Sequence, residues 1–489
     1  MIARFGAGDG HLLSTPRRRC LAAILLGGVV ALVASLLSTG PLHANPAPKT
    51  RDDSPTSRPN VVFITTDDMR LSDMAYMPNV KRLLASNGVT FTHALSPHPL
   101  CCPARAEWMT GQYGQNNGVH HNVGAHGGFR ALIDPGNNLG TWLQRAGYAT
   151  AMSGKFMNGY TAADGKQAGW THWNPSVRGV YAYRDTTFFD DGAMQTRSGN
   201  TDDAIVRYTT SYIRQFARSG KPFMVWASHL SPHDAATRHR WGPPIPAPRH
   251  RRLFADAVNP STKSPSYLTH GRTRTGLGTA GLTHWHRQRI RSLQSVDEGV
   301  RSIVDTLRAT GELANTYIIF TSDNGYLLGE HNRRGKNNLY DEALRVPLVV
   351  RLPGTHRATR SNEPVTLVDV APTISDLAGA TPTRLVDGSS FEQTLLSGHQ
   401  PWRTVQLVQT GRPSHSLLDP GWAERGIRTG TWTYFRKVRT GRETLFNRRR
   451  DPFEMRNVAR SQPRLVRRFR AELLALETCV GTACNLGVR

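Results

Sequence analysis

Short apolar runs alternate with segments of helical periodicity along most of the chain. Residues 61–65, VVFIT, form one such run, which is typical of a strand buried on both faces of a parallel sheet. Three more runs predict strands at residues 148–152, 223–227 and 316–320. The intervening segments repeat apolar residues every three or four positions and predict helices at 78–87, 139–146, 202–217 and 293–307. Strands that alternate with helices indicate right-handed crossovers and a mainly parallel α/β sheet with helices on both faces.

The pattern changes in the last quarter of the chain. Short alternating segments at residues 404–408 and 431–437, followed by helical periodicity at 463–476, predict a small antiparallel sheet closed by a helix. We therefore predict a catalytic α/β domain over residues 58–395 and a smaller C-terminal antiparallel α+β domain over residues 396–489. Residues 235–285 are rich in Arg, His, Pro and Gly, and we expect them to form an irregular insertion near the mouth of a site.

The first 44 residues resemble an export signal. Three arginines, Arg17 to Arg19, precede an uncharged run over residues 21–37, and the small residues around Ala44 predict cleavage there. Residues 45–57 form a polar linker. We expect an exported protein, secreted, periplasmic or cell-wall-associated. A retained N-terminal membrane anchor is the alternative, because the run approaches spanning length.

Composition describes a folded, strongly basic protein. Hydrophobic residues make up 38% and charged residues 20% of the chain, and the formal net charge is +25. Such a charge could attract nucleic acid, sulfated polysaccharide or acidic cell wall, or reflect an arginine-rich proteome. The sequence carries neither a nucleic-acid motif nor an array of stacking aromatics, so nucleic acid ranks last among these partners. Cys479 and Cys484 lie close together, and in an exported chain we expect them to form a structural disulfide.

Polar residues follow each predicted strand. Asp67 and Asp68 come after the first strand, and Asp323 and Asn324 come after the fourth. Ligands of open parallel sheets bind at the carboxyl ends of the strands, where these pairs would meet. Oxygen donors suit Ca²⁺ or Mg²⁺ better than zinc. A D-N-G sequence alone is a common turn, but two such pairs behind apolar strands predict a divalent-cation site.

Cationic and imidazole side chains occupy comparable positions. Lys155 follows the second strand, and His229 and His233 follow the third. Lysine is scarce beside arginine in this chain, which favours Lys155 and Lys336 as groups that hold an anion. His229 could instead be a packed histidine.

The segment LCCPAR, beginning at Leu100, places a cysteine at the start of a predicted helix. Pro103 suits the first helical position, and Gly111 ends the helix. Exposed N–H groups at the helix N-terminus favour an anion beside Cys101, whether a thiolate, an oxyanion or a bound sulfate or phosphate. Arg105 lies one turn further on. The alternative is an ordinary loop cysteine beside a helix cap.

The stretch LCCPARAEWMTGQY resembles the signature of the sulfatase family, C-x-P-x-R followed by T-G. The stretches SGKFMNGY and GEHNRRGKNNLYDEALRVPLVVRLPG, and the P-H pair at His233, resemble further family elements, and the resemblance covers about residues 58–475. The sequence departs from the family pattern at Ala104, at Asp341 and at Met157, where many members carry serine, glutamate and histidine respectively. The last departure is shared with the N-acetylglucosamine-6-sulfatase branch.

The resemblance implies an alkaline-phosphatase-like fold and hydrolysis of sulfate esters of sugars or aryl groups. It implies that a formylglycine-generating enzyme converts Cys101 to formylglycine and that Ca²⁺ or Mg²⁺ is bound. The implied metal ligands are Asp67, Asp68, Cys101, Asp323 and Asn324. The implied catalytic residues are Cys101, Arg105, Lys155, His233 and Lys336. Among these, Arg105 would stabilise the modified Cys101, and His233 would protonate the leaving alcohol or contact the sulfate.

Two rival functions remain open from the sequence. A phosphomonoester or phosphodiester hydrolase would share the fold, but such enzymes usually bind two metals with several histidines and use a Ser or Thr nucleophile. A secreted basic protein that only binds polyanions, with a silent site, is the second rival.

Overall fold

The structure is a computed structural model that describes residues 58–236 and 241–488. The predicted signal peptide, residues 1–44, and the predicted linker, residues 45–57, lie outside the described residues. Within the described part, none of the helices combines the length and apolar character needed to cross a bilayer.

Most strands belong to one large sheet and to a small C-terminal sheet. In chain order the strands are β1 Asn60–Thr66, β2 Gly88–Phe91, β3 Ala149–Gly154, β4 His172–Arg178, β5 Arg184–Asp190, β6 Ala193–Asn200, β7 Phe223–Ser228, β8 Ala235–Ala236, β9 Trp241–Gly242, β10 Thr316–Ser322, β11 Leu327–Leu328, β12 Arg334–Gly335, β13 Leu348–Arg351, β14 Thr359–Ser361, β15 Val405–Gly411, β16 Trp422–Thr429, β17 Trp432–Lys437 and β18 Glu443–Asn447. The ten-stranded sheet has the order β14-β2-β13-β10-β1-β7-β3-β4-β5-β6.

The centre of the large sheet is parallel. Strands β10, β1, β7, β3 and β4 run in the same direction, whereas β13, β5 and β6 pair antiparallel to their neighbours. The carboxyl ends of β1, β3, β7 and β10 therefore meet at one edge. The predicted mainly parallel α/β fold is confirmed.

Helices cover both faces of this sheet. In chain order the α-helices of the described residues, including α9 of the C-terminal region, are α1 Cys101–Thr110, α2 Gly114–Asn117, α3 Leu139–Arg145, α4 Thr201–Ser219, α5 Thr279–Ala309, α6 Asp341–Leu344, α7 Val370–Ala378, α8 Glu392–Ser397 and α9 Pro463–Glu477. Val61 and Phe63 of β1 join a core that includes side chains of α1, α3 and α7. Val62 and Ile64 join a second core with α4 and α5. This division follows from the alternation of side chains along a strand, which buries both faces of β1.

The C-terminal sheet, β15 to β18, is antiparallel throughout and is also two-sided. One face packs on α9 through an apolar core that includes Ile427, Tyr434 and Phe469. On the other face, Phe435 and neighbouring residues pack against Leu339 and against Leu344 at the end of α6. The predicted antiparallel sheet with a closing helix is confirmed. The predicted domain boundary after residue 395 falls inside α8, and the division into two domains stays a prediction.

Several elements differ from the sequence-based prediction. Helix α1 begins at Cys101, two residues before Pro103, because any position in the first turn tolerates a residue without an N–H donor. In place of one regular helix after Pro78 the chain forms short π and 3₁₀ turns at Val80–Leu84 and Ala85–Asn87. The described residues of the insertion at 235–285 are largely irregular, as predicted, but α5 already begins at Thr279.

The C-terminus is held by the disulfide Cys479–Cys484, as the sequence predicts. Both cysteines are buried in the core between α9 and the C-terminal sheet. Cys101 and Cys102 are free and buried. The disulfide therefore lies in the structural core of the C-terminal region, and the two free thiols are those of the motif.

Candidate active site

The predicted site residues lie on or directly after six elements that converge at the carboxyl edge of the large sheet. Asp67 and Asp68 follow β1, Asp323 and Asn324 follow β10, and Lys155 follows β3. His233 follows β7, Cys101 and Arg105 lie on α1, and Lys336 follows β12. The structure brings all nine into one linked set of side chains, as the next paragraphs describe.

Cys101 lies between two ammonium groups. Its Sγ atom is 2.9 Å from Lys336 Nζ and 3.4 Å from Lys155 Nζ. The same Sγ atom is 3.5 Å from Asp67 Oδ1. Cys101 is 1% exposed and the Lys336 side chain is 13% exposed, so Lys336 lies nearer to the protein surface than the sulfur does.

The carboxylates face the same two lysines. Lys155 donates to Asp67 Oδ2, and Lys336 donates to Asp68 Oδ1, both as very short ion pairs. Asp68 adopts φ of 72°, a left-handed conformation that aspartate tolerates, and its N–H donates to Asp323 Oδ1 at 3.0 Å. This turn joins the ends of β1 and β10, which explains why the two acidic pairs meet.

Asn324 completes the acidic side of the site. Its Nδ2 donates to Asp68 Oδ1 at 2.7 Å and to the carbonyl of Gly325 at 2.8 Å. Its Oδ1 is buried and has no hydrogen-bond partner among the described residues. A buried amide oxygen without a partner is costly, and a bound cation would satisfy it.

Arg105 connects α1 to the strand ends from beneath. Its Nη1 donates to the carbonyl of Lys155 at 2.6 Å and to Ser228 Oγ at 2.8 Å, and its Nη2 donates to Asp323 Oδ2 at 3.0 Å. The side chain is fully buried. Among the described contacts, no hydrogen bond joins Arg105 to Cys101. The guanidinium therefore fixes the carboxylate and the Lys155 backbone that surround the sulfur.

His233 faces Asp67 and Asp68 from the loop after β7, the strand that pairs with β1. Its Nδ1 is 2.7 Å from the carbonyl of Asp234, and its Nε2 is 3.9 Å from Asp68 Oδ2. The imidazole packs against Tyr181 and Trp241, with ring-centroid distances of 4.8 and 5.6 Å, and these two rings also contact each other at 5.1 Å. Trp241 belongs to the 235–285 insertion, so the insertion does reach the mouth of the site, as the sequence predicts.

His229 does not join this group. Its Nδ1 is 3.1 Å from Asp202 Oδ1, and its side chain is buried behind the strand end. Asp202, in the first turn of α4, also accepts from the N–H of Leu230 and from the hydroxyl of Ser231. The packed-histidine interpretation is the one that the structure supports, and His229 with Asp202 anchors the loop that carries His233.

Asp67 and the two lysines stabilise one another's charged forms. Burial opposes ionisation of Asp67, but Lys155, His233 and Lys336 outweigh it and hold the pKa of Asp67 well below its ordinary value. Burial likewise opposes the charge of both lysines, and their carboxylate partners raise their pKa values in spite of it. Cys102 differs, since burial and the neighbouring Cys101 raise its pKa to about 12. Cys102 therefore remains a neutral thiol at physiological pH.

The cluster fits a hard divalent cation. Ligand atoms of Asp67, Asp68, Cys101 and His233 all lie within 4.8 Å of one another. The Asp323 carboxylate and the orphaned Asn324 oxygen adjoin this group through Asp68. A donor set dominated by carboxylate and amide oxygens suits Ca²⁺ or Mg²⁺.

Sequence reasoning missed two residues that shape the site. Arg289 of α5 is fully buried, and its Nη1 donates to the carbonyl of Pro232 at 3.2 Å. Its Nη2 donates to the carbonyl of Asp68 and, at 3.2 Å, to Asp73 Oδ2. Tyr181, in the 3₁₀ turn after β4, lies with its ring 5.0 Å from Lys155 Nζ. Arg289 lies within the apolar stripe of its helix, and this position could have identified it as buried. No sequence pattern distinguishes Tyr181.

Two family models match the sequence. One, described as Sulfatase, covers residues 59–380, and the other, described as N-sulphoglucosamine sulphohydrolase, C-terminal, covers residues 329–478. Every side chain of the cluster lies within the first of these ranges.

Curated relatives point in the same direction. A Caenorhabditis elegans protein named as a homologue of the extracellular sulfatase Sulf-1 is 31% identical over 386 residues, which are 73% of this chain and 53% of that protein. N-acetylglucosamine-6-sulfatase of Homo sapiens is 28% identical over 486 residues, which are 88% of this chain and 86% of that protein. The chain therefore spans about half the length of the first relative and most of the second.

Solved structures share the fold. A protein in complex with its substrate D-glucosamine-2-N,6-O-disulfate has a TM-score of 0.72 and 23% identity, and the match covers 85% of this chain and 97% of that chain. A phosphonate monoester hydrolase of Agrobacterium radiobacter has a TM-score of 0.66 and 21% identity, with 86% and 95% covered. These likenesses confirm the architecture predicted from the sequence.

Proposed function

Because this chain belongs to the sulfatase family, we propose that it is a sulfuric ester hydrolase that cleaves sulfate esters of sugars, with residue 101 as the attacking group. The observation that carries the proposal is the position of Cys101, whose sulfur lies 2.9 and 3.4 Å from two lysine ammonium groups beside a pair of buried carboxylates. Such a site can hold a sulfate group and a cation next to the same nucleophilic atom.

Two groups complete the chemistry. Cys101 would be converted by a formylglycine-generating enzyme and an external oxidant to formylglycine, whose hydrate supplies the oxygen that attacks sulfur. A Ca²⁺ or Mg²⁺ ion held by Asp67, Asp68, residue 101, Asp323 and Asn324 would supply positive charge for the sulfate and for the attacking oxygen. The adjacent Cys102 is unsuited to this role because it points to Asn158, with its Sγ 3.4 Å from Asn158 Oδ1.

The protein side chains then divide the work. Lys155 and Lys336 would exchange their carboxylate partners for sulfate oxygens when the cation is bound, and they would stabilise the charge that develops there. Arg105 would act as a positioning residue through Asp323. His233 would donate a proton from Nε2 to the leaving oxygen as the sulfur–oxygen bond to the sugar breaks. The second hydroxyl of the hydrate would then lose its proton and form the aldehyde as the carbon–oxygen bond to sulfate breaks. One water rehydrates the aldehyde, so overall one water is consumed and the alcohol and hydrogen sulfate leave.

Sulfated sugars are the substrates that the comparisons and the charge favour. The human relative is an N-acetylglucosamine-6-sulfatase, and the solved neighbour holds a disulfated glucosamine. The formal net charge of +25 would attract such anions. Aryl sulfates, which have better leaving groups, should serve as convenient test substrates.

The enzyme would act outside the cytoplasm, after export. The pattern of Arg17 to Arg19, the uncharged run at 21–37 and Ala44 supports a secretory signal. The Caenorhabditis elegans relative is named for an extracellular sulfatase. Secreted, periplasmic and cell-wall-associated forms all agree with this pattern.

A phosphate or phosphonate ester hydrolase is the second candidate, favoured by the fold shared with a phosphonate monoester hydrolase. The two candidates differ in the charge of the group they bind, and a single nucleophile can act on both. A panel of 4-nitrophenyl sulfate, 4-nitrophenyl phosphate and a phenyl phosphonate ester separates them by kcat/KM. We expect the sulfate to be preferred.

The decisive experiment combines chemistry at residue 101 with turnover. We expect mass spectrometry of the peptide that spans residue 101 to show loss of the thiol sulfur and gain of an aldehyde. Cys101→Ala should abolish hydrolysis of 4-nitrophenyl sulfate while the protein stays folded. Dialysis against a chelator should remove activity, and Ca²⁺ or Mg²⁺ should restore it.

Cys102→Ala is the matched control, because it removes an adjacent thiol that points away from the lysines. It should retain most of the activity. An active Cys101→Ala variant would refute the assignment of the nucleophile, and an unmodified, inactive native enzyme would favour the silent polyanion-binding protein.

A further inference from the structure

A strongly basic cavity of about 560 Å³ adjoins the active site. Six cationic side chains line it: Arg274, Arg333, Arg412, Lys437, Arg439 and Arg442. Glu424 is the one carboxylate of its lining. We call this cavity the basic pocket.

Three separate parts of the chain build the basic pocket. Arg274 comes from the 235–285 insertion, and Arg333 comes from the loop that leads to Lys336. The remaining wall is one face of the C-terminal sheet, where Phe435 and Lys437 of β17 point into the pocket and Tyr434 points away to α9. Side-chain alternation along β17 therefore separates a structural face from a cationic one.

One loop links the basic pocket to the site around Cys101. Its lining includes Asn337, the residue that follows Lys336. The N–H of Asn337 donates to the carbonyl of Pro99, two residues before Cys101, at 2.9 Å. Asn337 Nδ2 donates to the carbonyl of Gly411 at 2.9 Å, which fixes this loop to the C-terminal sheet. The basic pocket therefore borders the loop that brings Lys336 to residue 101.

The cations of the basic pocket are poorly compensated. Arg412 pairs with Asp419, at the edge of the cavity. In the described part of the chain, no ion pair within 4.0 Å involves the side chains of Arg274, Arg333, Lys437, Arg439 or Arg442. Uncompensated cations around a concavity focus a positive potential that attracts anions. Asn337 Oδ1, buried without a hydrogen-bond partner among the described residues, could accept from a sugar hydroxyl.

We propose that the basic pocket binds a second anionic group of the substrate, a sulfate or carboxylate on a sugar next to the one that reacts. The proposal rests on the proposed function and names its substrate class: oligosaccharides with several negative charges. A monosulfated small molecule would fill the site at residue 101 and leave the basic pocket without a ligand, so its binding would gain nothing from these arginines.

The test compares substrates that differ in the number of anionic groups. The probes are 4-nitrophenyl sulfate and a tetrasaccharide of alternating uronic acid and 6-O-sulfated glucosamine. In Arg439→Ala/Arg442→Ala, the ratio of kcat/KM for the tetrasaccharide to that for 4-nitrophenyl sulfate should fall about tenfold, which corresponds to about 1.4 kcal/mol. The loss should arise from KM and shrink as salt rises, because exposed charges are screened.

Arg464→Ala/Arg467→Ala is the matched control. These two exposed arginines lie on α9, behind the opposite face of the C-terminal sheet, and their removal changes the net charge by the same amount. The control should keep the native ratio. An unchanged ratio in the pocket variant, or an equal fall in the control, would overturn the proposal.

Calorimetry separates failure of this inference from failure of the proposed function. If the native enzyme hydrolyses no sulfate ester, the proposed function fails, and the Kd of the tetrasaccharide still tests the basic pocket. We expect about a tenfold weaker Kd for the pocket variant than for the control. Equal Kd values for the two variants would count against the pocket. A carboxyl-reduced tetrasaccharide then shows whether a sulfate or a carboxylate makes the contact.

Discussion

Arg289 connects the loop after β1 to the loop that carries His233. Its guanidinium donates to backbone carbonyls of Asp68 and Pro232 and forms an ion pair with Asp73. All of these groups are buried. A buried charge pair adds little net stability, but removal of one partner leaves an uncompensated charge. Arg289 therefore fixes the two loops relative to each other, and removal of either partner of its ion pair should destabilise the protein.

Arg289→Met should lower the free energy of unfolding by about 3–5 kcal/mol, because the buried Asp73 would lose its ion-pair partner. Urea denaturation measures the change. Adding Asp73→Asn should recover part of the loss, and a double variant no more stable than Arg289→Met would contradict the explanation. The single variant should also bind Ca²⁺ or Mg²⁺ more weakly, since the Asp68 backbone loses its support.

The sequence indicated most of the chemically important side chains and few of their supports. Asp67, Asp323 and Lys155 follow strands whose apolar runs are unmistakable, so the topology alone brings them to one edge. Tyr181 follows β4, a strand without such a run, so no pattern pointed to it. The direction of each hydrogen bond, such as Arg105 to Asp323 and not to Cys101, depends on distances of a few tenths of an ångström, which periodicity does not encode.

At the scale of elements, the first turn of α4 organises the loop after β7. Asn200 caps the helix by accepting from the N–H groups of Asp202 and Asp203. Asp202 points inward and accepts from His229, Leu230 and Ser231. The helix start therefore fixes the backbone that leads to His233.

Asp202→Ala should destabilise the protein by about 1–3 kcal/mol, because several buried donors lose one acceptor. It should also lower kcat by displacing His233. Thermal unfolding and steady-state kinetics with 4-nitrophenyl sulfate measure the two effects. Asp203→Ala is the control: this neighbour pairs with Arg249 on the surface, and its loss should cost less than about 1 kcal/mol with kcat unchanged. Equal effects of the two variants would show that the inward carboxylate has no special role.

Apolar patterning predicted the central elements and missed the peripheral strands for a physical reason. Strands β1, β7 and β10 are buried on both faces and appear as continuous apolar runs. Strand β6, AMQTRSGN, lies at the edge of the sheet and is mostly exposed, so it carries no apolar pattern to recognise. Edge strands are defined by their partners, which a single sequence does not display.

At the scale of the whole molecule, the C-terminal segment returns to the main body. Gln115 of α2 donates to the carbonyl of Leu476, and Asn116 donates to the carbonyl of Cys479. The disulfide Cys479–Cys484 closes a short loop at this contact. The hydrogen bonds thus hold the end of α9 against α2, and the cross-link closes the loop that follows without taking part in the chemistry.

Cys479→Ala/Cys484→Ala should reduce the free energy of unfolding by about 2 kcal/mol, the chain-entropy value for so short a loop. The kcat for 4-nitrophenyl sulfate should stay at the native level, because neither sulfur approaches residue 101. Denaturation with and without a reducing agent checks the effect: reductant should destabilise the native protein and leave the variant unaffected. A loss of kcat in the variant would show that the C-terminus influences the reaction.

The apolar contact between the C-terminal sheet and the loop after Lys336 has a consequence for how the protein is made. Leu95, Leu339 and Leu344 are covered by Val408, Phe435 and Phe446, which lie more than sixty residues later in the chain. A nascent polypeptide that ends before β15 would already contain every reactive side chain, while these leucines were still exposed to water. The enzyme should therefore become active only after the ribosome has synthesised β18. Chains truncated before β18 should aggregate and remain inactive.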